Sequence, residues 1–233
     1  MLFAALGDSA VVVTLGDAID DSVLARVREL GAVLANARIP GITDIVPAYT
    51  SVTVFYDPVR FATDGARPYP TVCQFITWCA AQVSEEPLRH GHAIPPREVR
   101  IPVCYGGDFG VDFDRVLAHT RLSREALVAA HSGGQYRVQA IGFAPGFPYL
   151  AGLPPALAVP RLDAPRIRVP AGSVGIGGDQ TGIYPAESPG GWNLIGRSPL
   201  RLFDPEATPV SVLKTGDAVV FYPISAEEFA TWR

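Results

Sequence analysis

In the first hundred positions, segments with the apolar pattern of a strand alternate with segments in which apolar residues recur at helical spacing. The run from Ser9 to Leu15 is apolar and β-branched, which predicts a strand. A helix is predicted next, from Asp20 or Asp21 to about Asn36, because apolar side chains recur there at helical spacing. The remaining predicted elements of this part are strands over 42–48 and 51–56, a helix over 69–84 and a strand over 97–104.

The resulting order of elements, β-α-β-β-α-β, is typical of ferredoxin-like modules. We therefore predict an N-terminal ferredoxin-like α/β sandwich domain over residues 1–92. Residues 86–97 contain several prolines together with His90 and His92, which indicates a connection between two domains. The strand over 97–104 fits either side of that boundary.

The pattern changes in the second part of the chain. Two short helices are predicted over 112–119 and 123–131, with Asp112 and Ser123 as N-caps. From Tyr136 onward, short β-type runs alternate with Gly/Pro turns, which predicts a barrel or a sandwich. These runs are 136–141, 166–169, 191–195, 200–203 and 218–222. The predicted fold class is α+β, with the second domain, a barrel or a sandwich, over residues 93–233.

Composition and charge exclude several classes of partner. The net charge is −4, so the two short helices, which imitate a helix-turn-helix, have no electrostatic support for binding nucleic acid. No apolar run approaches the roughly 18 residues of a membrane helix. The first residues lack the basic leader of a signal peptide, so we expect a cytoplasmic protein without a membrane partner. The single lysine, Lys214, forms no Gly-Lys-Ser/Thr phosphate loop.

Metal binding is not predicted. The three cysteines, Cys73, Cys79 and Cys104, have no histidine at ligand spacing and are expected to pack as small apolar side chains. His90 and His92 lie in the predicted connection without a carboxylate cluster beside them, which favours a solvated linker over a metal site.

The segment 142–197 differs from the rest of the chain in its glycine content. It contains 11 of the 23 glycines, and Phe, Tyr, Trp, Ile and Val are interleaved with them and with prolines. A linker would lack these apolar residues. The segment therefore predicts a rigid surface built from turns, in which backbone can approach a ligand closely. We expect the functional site to lie here.

Several motifs in this segment resemble the KipI / allophanate hydrolase subunit 1 family, whose bacterial members include the B subunit of 5-oxoprolinase. They are Gly-Phe-Ala-Pro-Gly-Phe-Pro-Tyr-Leu at 142–150, Pro-Arg-Ile-Arg-Val-Pro-Ala-Gly-Ser-Val-Gly-Ile at 165–176, Gln-Thr-Gly-Ile-Tyr-Pro at 180–185, Ser-Pro-Gly-Gly-Trp at 188–192 and Gly-Arg at 196–197. The similarity extends over nearly the whole chain. Ala144 stands where a larger apolar residue is expected.

The resemblance implies an N-terminal α/β domain followed by a cyclophilin-like β-barrel. It further implies that the chain acts as the B subunit of an ATP-dependent 5-oxoprolinase, which opens the lactam of 5-oxo-L-proline to L-glutamate. The implied partners are a homologous C subunit, of the KipA / allophanate hydrolase subunit 2 family, and an A subunit, of the LamB/YcsF family. ATP is then a cofactor of the complex, held either by this chain or by another one, and no cofactor is covalently attached.

Two other activities in the family remain open at this stage. One is a regulatory module that inhibits a sensor histidine kinase, held through the proline-rich loop of the barrel. The other is one half of a biotin-dependent carboxyltransferase. The chain contains no Met-Lys biotin-attachment pair, so a biotin carrier would be another protein.

Five residues are candidates for catalysis. Arg166 and Arg168 could bind a carboxylate bidentately, or they could pair with Glu187 or Asp179. His131 could transfer a proton, although a histidine at a helix C-terminus is also favoured by the helix dipole. Glu187 is a candidate acid or base with a salt bridge as the alternative, and Gln180 offers a neutral donor and acceptor.

Ten further residues are candidates for binding a substrate or a partner. The aromatic side chains could line a pocket, although barrel core is the commoner fate of each. Ser173 adds a hydroxyl, and the prolines and glycine stiffen the loop that begins at Phe143. The full set is Phe143, Pro145, Gly146, Phe147, Tyr149, Ser173, Tyr184, Pro189, Trp192 and Arg197.

Overall fold

The structure of the protein is a computed structural model that describes residues 1–62, 67–83 and 96–232. The chain divides into two compact units, Met1–Pro95 and Pro96–Arg233. Most of the predicted connection, with His90 and His92, lies outside the described residues. No described helix has the length and apolar character needed to cross a membrane.

The first unit is a four-stranded antiparallel sheet with its helices on one face. The sheet has the order β1-β2-β4-β3, and α1 and α3 bury their apolar side chains against it. The elements are β1 (Leu2–Leu6), β2 (Ala10–Thr14), α1 (Asp21–Ala37), β3 (Ile42–Ala48), β4 (Ser51–Tyr56), α2 (Pro58–Phe61) and α3 (Pro68–Ala80). The Asp20 side chain accepts from the backbone N–H of Val23 at 2.8 Å, which confirms the predicted helix start.

The order of elements in this unit differs from the ferredoxin-like prediction. Gly7, with φ of 65°, reverses the chain so that β1 pairs with β2 and occupies one edge of the sheet. The strand β5 (Glu98–Tyr105), which the sequence left open between the two domains, belongs to the second unit. The reason is burial, since Ile101 to Cys104 form an unbroken buried run that an edge strand would leave exposed.

The second unit contains a closed barrel of seven strands, which confirms the predicted barrel. The strands follow the order β10-β7-β6-β13-β5-β12-β9, and β13 pairs with β5 in parallel, whereas the other pairs are antiparallel. Its remaining elements are α4 (Phe113–Thr120), α5 (Arg124–Ser132), β6 (Tyr136–Ile141), β7 (Pro148–Ala151), β8 (Arg166–Val169), β9 (Ser173–Gly177), β10 (Gln180–Ile183), β11 (Ser188–Gly190), β12 (Asn193–Arg197), β13 (Ala218–Pro223) and α6 (Ala226–Ala230), with short 3-10 helices at Gly107–Phe109 and Pro155–Leu157.

Two features of this unit lie outside the barrel wall. Strands β8 and β11 pair only with each other and form a separate two-stranded ribbon. The strand predicted over 200–203 is absent, and Phe203 makes only an isolated bridge with Ser211. Pro199 and Pro205 flank this segment, and proline cannot donate to a strand ladder.

Candidate functional site

A small pocket in the second unit collects most of the aromatic residues predicted for binding. It has a volume of about 180 Å³, and we call it the aromatic pocket. Its principal lining residues are Phe143, Phe147, Tyr149, Tyr184, Trp192 and Arg161. The segments that supply them are 143–149, 161–165, 184 and 190–192, so the motifs of the Gly/Pro-rich segment converge on one site.

The rings of the pocket hold each other by edge-to-face contacts. Phe147 lies in the centre, with its centroid 5.2 Å from that of Tyr184 and 5.6 Å from that of Trp192, at interplanar angles of 73° and 79°. Phe147, Tyr184 and Trp192 are each at most 5% exposed. Edge-to-face pairs at these distances are favourable because the positive edge of one ring meets the negative face of the next. The pocket floor is therefore rigid.

Glycine is required at two places for these rings to fit. A Cβ on Gly177 would lie 2.6 Å from the indole of Trp192, and a Cβ on Gly190 would overlap the hydroxyl of Tyr184. Both distances are shorter than van der Waals contact allows. The glycines of the motifs thus act by admitting the two large rings beside the backbone.

The Phe143 side chain forms the exposed rim of the pocket. A tight turn holds it, in which the N–H of Ala144 donates to the carbonyl of Gly142 and the N–H of Phe147 donates to that of Ala144. Phe143 has φ of 68° and is 62% exposed. A bulky residue in the left-handed region is strained, and such strain concentrates at functional sites. Pro145 is exposed in the same turn, whereas Gly146 is buried with φ of 82°.

Positive charge borders the pocket on one side. The guanidinium carbon of Arg161 lies 5.7 Å from the Trp192 ring centroid, and among the described residues no carboxylate pairs with Arg161. Burial raises the pKa of Tyr184, while a backbone hydrogen bond from Trp192 and the charges of Arg161 and Arg166 oppose this shift. Tyr184 is therefore a neutral hydrogen-bonding group in a surrounding that carries positive charge.

Arg166 is fixed by a carboxylate that the sequence did not assign to the site. Its Nη2 donates to Oδ1 of Asp112 at 2.6 Å, and Oδ2 of Asp112 accepts from the N–H of Leu194 at 2.7 Å. Asp112 stands at the N-cap position of α4, as predicted, but its side chain makes no capping hydrogen bond and binds Arg166 instead. The Nη1 of Arg166 is buried without a partner in the described protein, so it remains available as a donor.

His131 lies in the barrel core, away from solvent. It is 0% exposed, and burial lowers its pKa to about 3, so the ring is neutral. Thr181 Oγ1 donates to the carbonyl of Gly175 at 2.9 Å and so must accept from Nε2 of His131 at 3.1 Å. Nδ1 then accepts from the hydroxyl of Tyr105 at 2.8 Å. Both ring nitrogens are thus occupied within the protein and the ring is buried, so this geometry leaves no free ring nitrogen for proton transfer.

The structure separates the other predicted residues. Arg168 and Glu187 form an exposed ion pair at 2.7 Å, which is the alternative that the sequence left open. Ser173 is buried, and Gln180 begins β10 beside Gly177. Pro189 is exposed in the β8–β11 ribbon. The five residues predicted for catalysis therefore do not form one cluster.

Arg197 lies in a second, larger cavity of the same unit. This cavity has a volume of about 730 Å³, and we call it the Arg197 groove. Its lining residues include Glu187, Arg197, Leu200, Arg201, Phe203, Phe229 and Trp232.

Comparison with known proteins places this architecture in a family. Residues 1–213 match the family described as carboxyltransferase domain, subdomain C and D. The chain belongs to this family. Members similar to it include three proteins that are each named as the B subunit of 5-oxoprolinase, which confirms the resemblance inferred from the motifs.

These relatives are similar over most of their length. The Bacillus subtilis protein is 40% identical over 232 residues, which cover 98% of this chain and 95% of the relative. The Escherichia coli O157:H7 protein is 39% identical over 219 residues, or 94% of each chain. The Haemophilus influenzae protein is 42% identical over 180 residues, or 77% of this chain and 78% of the relative.

Solved structures of this architecture also match. TTHA0988 has a TM-score of 0.79 at 36% identity, and the match covers 93% of this chain but only 40% of that longer chain. PH0987 from Pyrococcus horikoshii is 40% identical with a TM-score of 0.57, over 98% of this chain and 100% of that one. The Kluyveromyces lactis urea carboxylase shares the fold at 19% identity and a TM-score of 0.67, covering 98% of this chain and 22% of that one.

Sequence reasoning missed Arg161 as a site residue. It lies in a short run, Pro160-Arg161-Leu162-Asp163, that belongs to none of the motifs. Only the folded chain brings it to Trp192, which is 31 positions away in the sequence. The signal available in the sequence was an arginine directly after a proline within the Gly/Pro-rich segment.

Proposed function

We propose that this chain is the B component of an ATP-dependent 5-oxoprolinase, which opens the lactam of 5-oxo-L-proline to L-glutamate together with the C and A components. The observation that carries the proposal is the 39–42% identity to three proteins named as the B subunit of 5-oxoprolinase. In this proposal ATP is consumed by the assembled complex in the cytoplasm, and this chain contributes part of the substrate site.

The aromatic pocket supports the proposal through its size and chemistry. A volume of about 180 Å³ suits one small ring rather than an extended ligand. Phe143, Tyr149 and Trp192 present aromatic surface to such a ring, and Arg161 offers a guanidinium to a carboxylate. 5-Oxo-L-proline has these two parts, a five-membered ring and a carboxylate on it.

The proposed role of this chain is binding and orientation. Among the described residues that line the aromatic pocket, the titratable side chains are arginine and tyrosine, and burial raises the pKa of Tyr184. Neither type is poised to exchange a proton near neutral pH. The groups that activate the lactam and bind ATP are therefore assigned to the C and A components.

Reconstitution tests the reaction. The purified chain is mixed with the C and A components encoded in the same genome, together with 5-oxo-L-proline and ATP, and released glutamate is measured. We expect turnover only when all three are present. Folded components that together release no glutamate would contradict the proposed activity.

Direct binding tests the pocket without turnover. Isothermal titration of the B–C complex with 5-oxo-L-proline is compared with 2-pyrrolidinone, which has the same ring but no carboxylate. Arg161→Gln should weaken 5-oxo-L-proline binding about tenfold or more, since a charge-assisted bond is lost, and should leave 2-pyrrolidinone binding unchanged. Arg168→Gln is the matched control, because Arg168 pairs with Glu187 at the surface. Equal affinity of wild type and Arg161→Gln would remove the pocket from the proposal.

A second candidate is a biotin-dependent carboxyltransferase half. The description of the family, a carboxyltransferase domain, favours it. The test is carboxyl transfer from a carboxylated biotin carrier to an acceptor such as urea, in the presence and absence of avidin. Avidin-sensitive transfer together with no glutamate release would favour this candidate over the oxoprolinase.

A further inference from the structure

The Arg197 groove differs from the aromatic pocket in size and shape. Its volume of about 730 Å³ exceeds the roughly 180 Å³ of the aromatic pocket about fourfold. The segment 197–205 and the C-terminal residues Phe229 and Trp232 supply much of its lining, and Trp232 is 39% exposed. A single small ring would leave most of this groove unfilled.

Arg197 is held in the groove with part of its guanidinium unoccupied. Its Nε donates to the carbonyl of Ala171 at 2.7 Å, which fixes the orientation of the group. Its Cζ lies 6.0 Å from the Phe229 ring centroid. Among the described residues no carboxylate lies within ion-pair distance of Arg197, so its two terminal nitrogens remain available.

The other charges of the groove are compensated within the protein. Arg201 pairs with Asp204 at 3.0 Å, and Glu187 pairs with Arg168 at 2.7 Å. The groove therefore offers one uncompensated positive charge. A single guanidinium suits one carboxylate, whereas a di- or triphosphate requires several cations or a metal ion.

Apolar side chains line the groove together with this charge. Leu200 and Phe203, in the segment that follows Arg197, are half-buried. Phe229 and Trp232, near the C-terminus of the chain, also line the groove. Pro185, Pro199 and Pro205 add rigid surface without N–H groups. An occupant that fills the groove thus carries apolar groups beside a carboxylate.

From these observations we propose that the Arg197 groove binds a peptide segment of a partner protein, in which one acidic side chain lies between apolar residues. Arg197 binds the carboxylate, and the aromatic and proline surfaces take the neighbouring side chains. This interaction needs no turnover, so its test is independent of the proposed oxoprolinase activity.

Calorimetry with two blocked peptides tests the proposal. The probe is acetyl-Ala-Pro-Phe-Glu-Leu-Pro-Ala-amide, and the control peptide has Gln in place of Glu. We expect the Glu peptide to bind wild-type protein about tenfold more tightly, and higher salt to remove that difference. Equal affinity for the two peptides, or no heat from either at millimolar concentration, would overturn the proposal.

Variants assign the effect to Arg197. Arg197→Gln should abolish the preference for the Glu peptide, while Arg201→Gln, in the same groove but compensated by Asp204, should keep it. A preference for the Glu peptide that is retained in Arg197→Gln would contradict the assignment to Arg197.

Two controls accompany these variants. Because Arg197 also donates to the carbonyl of Ala171, the thermal stability of each variant is measured, and the salt dependence in wild-type protein supplies a test that needs no variant. Acetate that displaces the Glu peptide at equal concentration would show a small-anion site and would contradict peptide binding.

Discussion

Arg97 and Asp217, 120 positions apart in the sequence, form an ion pair in which Nη2 and Oδ2 are 2.5 Å apart. The carboxylate of Asp217 is fully buried and also accepts from the N–H of Lys214 at 2.9 Å. Arg97 directly precedes β5, and Asp217 directly precedes β13, which pairs with β5 in parallel. This ion pair therefore links the starts of β5 and β13, the one parallel strand pair described in the barrel.

The first prediction concerns this ion pair. Asp217→Asn should lower the free energy of unfolding of the barrel by about 2 kcal/mol, because it leaves Arg97 without a counter-charge and turns one acceptor into a donor. The measurement is the urea midpoint at constant slope. Arg168→Gln is the control, since its pair with Glu187 is exposed and should contribute less than about 1 kcal/mol. Similar losses in both variants would contradict the role of burial.

The second prediction concerns pH. Folding lowers the pKa of His131 to about 3 from its ordinary value of 6.5, so only the unfolded chain takes up this proton as the pH falls below 6.5. The contribution of neutral His131 to the free energy of unfolding is therefore complete above pH 6.5, and it is lost progressively as the pH falls towards 3. Between pH 7 and pH 5 the contribution is about 2 kcal/mol by linkage.

Comparison of variants isolates this contribution from that of the carboxylates. The loss of stability between pH 7 and pH 5 should be smaller by about 2 kcal/mol in His131→Gln than in wild type. His119→Gln, which changes an exposed histidine of α4, is the matched control. Parallel pH curves for wild type and His131→Gln would contradict the neutral buried histidine.

The third prediction concerns the strained rim of the aromatic pocket. Phe143→Ala and Phe143→Gly both remove the ring, but only glycine relaxes the φ of 68°. The glycine variant should therefore be more stable than the alanine variant by about 1 kcal/mol. Both should weaken 5-oxo-L-proline binding to the same extent, as measured by titration calorimetry. A glycine variant less stable than the alanine variant would show that the turn carries no strain.

The fourth prediction concerns two neighbouring glycines of the pocket. Gly190→Ala places a Cβ against the Tyr184 hydroxyl and should destabilise the protein by about 1–3 kcal/mol while weakening ligand binding. Gly191→Ala is the matched control, because its Cβ would lie 3.6 Å from Pro165, an ordinary contact. Differential scanning calorimetry measures the stability of the two variants, and ligand titration measures their affinity. Equal behaviour of both variants would contradict the close packing of Tyr184.

Much of the fold follows from local sequence patterns. The helix α1 and the strands β3 and β4 match their predicted ranges because apolar spacing and capping residues act over a few positions. The prediction of a strand over 200–203 was wrong. Its apolar residues satisfy the local pattern, but the flanking prolines have no N–H to donate to a neighbouring strand. The sheet that β5 joins stayed open for a related reason, because the local pattern of a strand does not indicate its pairing partners.

The candidate site was predicted in part. Five aromatic residues predicted for binding meet in one pocket, since the motifs that carry them also hold the glycines that let them approach. Arg161 and Asp112 were missed as site residues, because their partners Trp192 and Arg166 lie far from them in the chain. The burial of His131 could not be predicted, because a position at a helix C-terminus indicates nothing about whether the side chain is buried.

The sequence by itself determined the periodic elements, the Gly/Pro-rich segment and the family of this chain. The tertiary structure alone decided which strands pair, which charges are compensated and which polar groups are buried. His131 shows the reason, since its partners Tyr105 and Thr181 are 26 and 50 positions away and its neutrality comes from the barrel that encloses it. Burial and hydrogen bonding at such a position are properties of distant segments brought together, and no local pattern contains them.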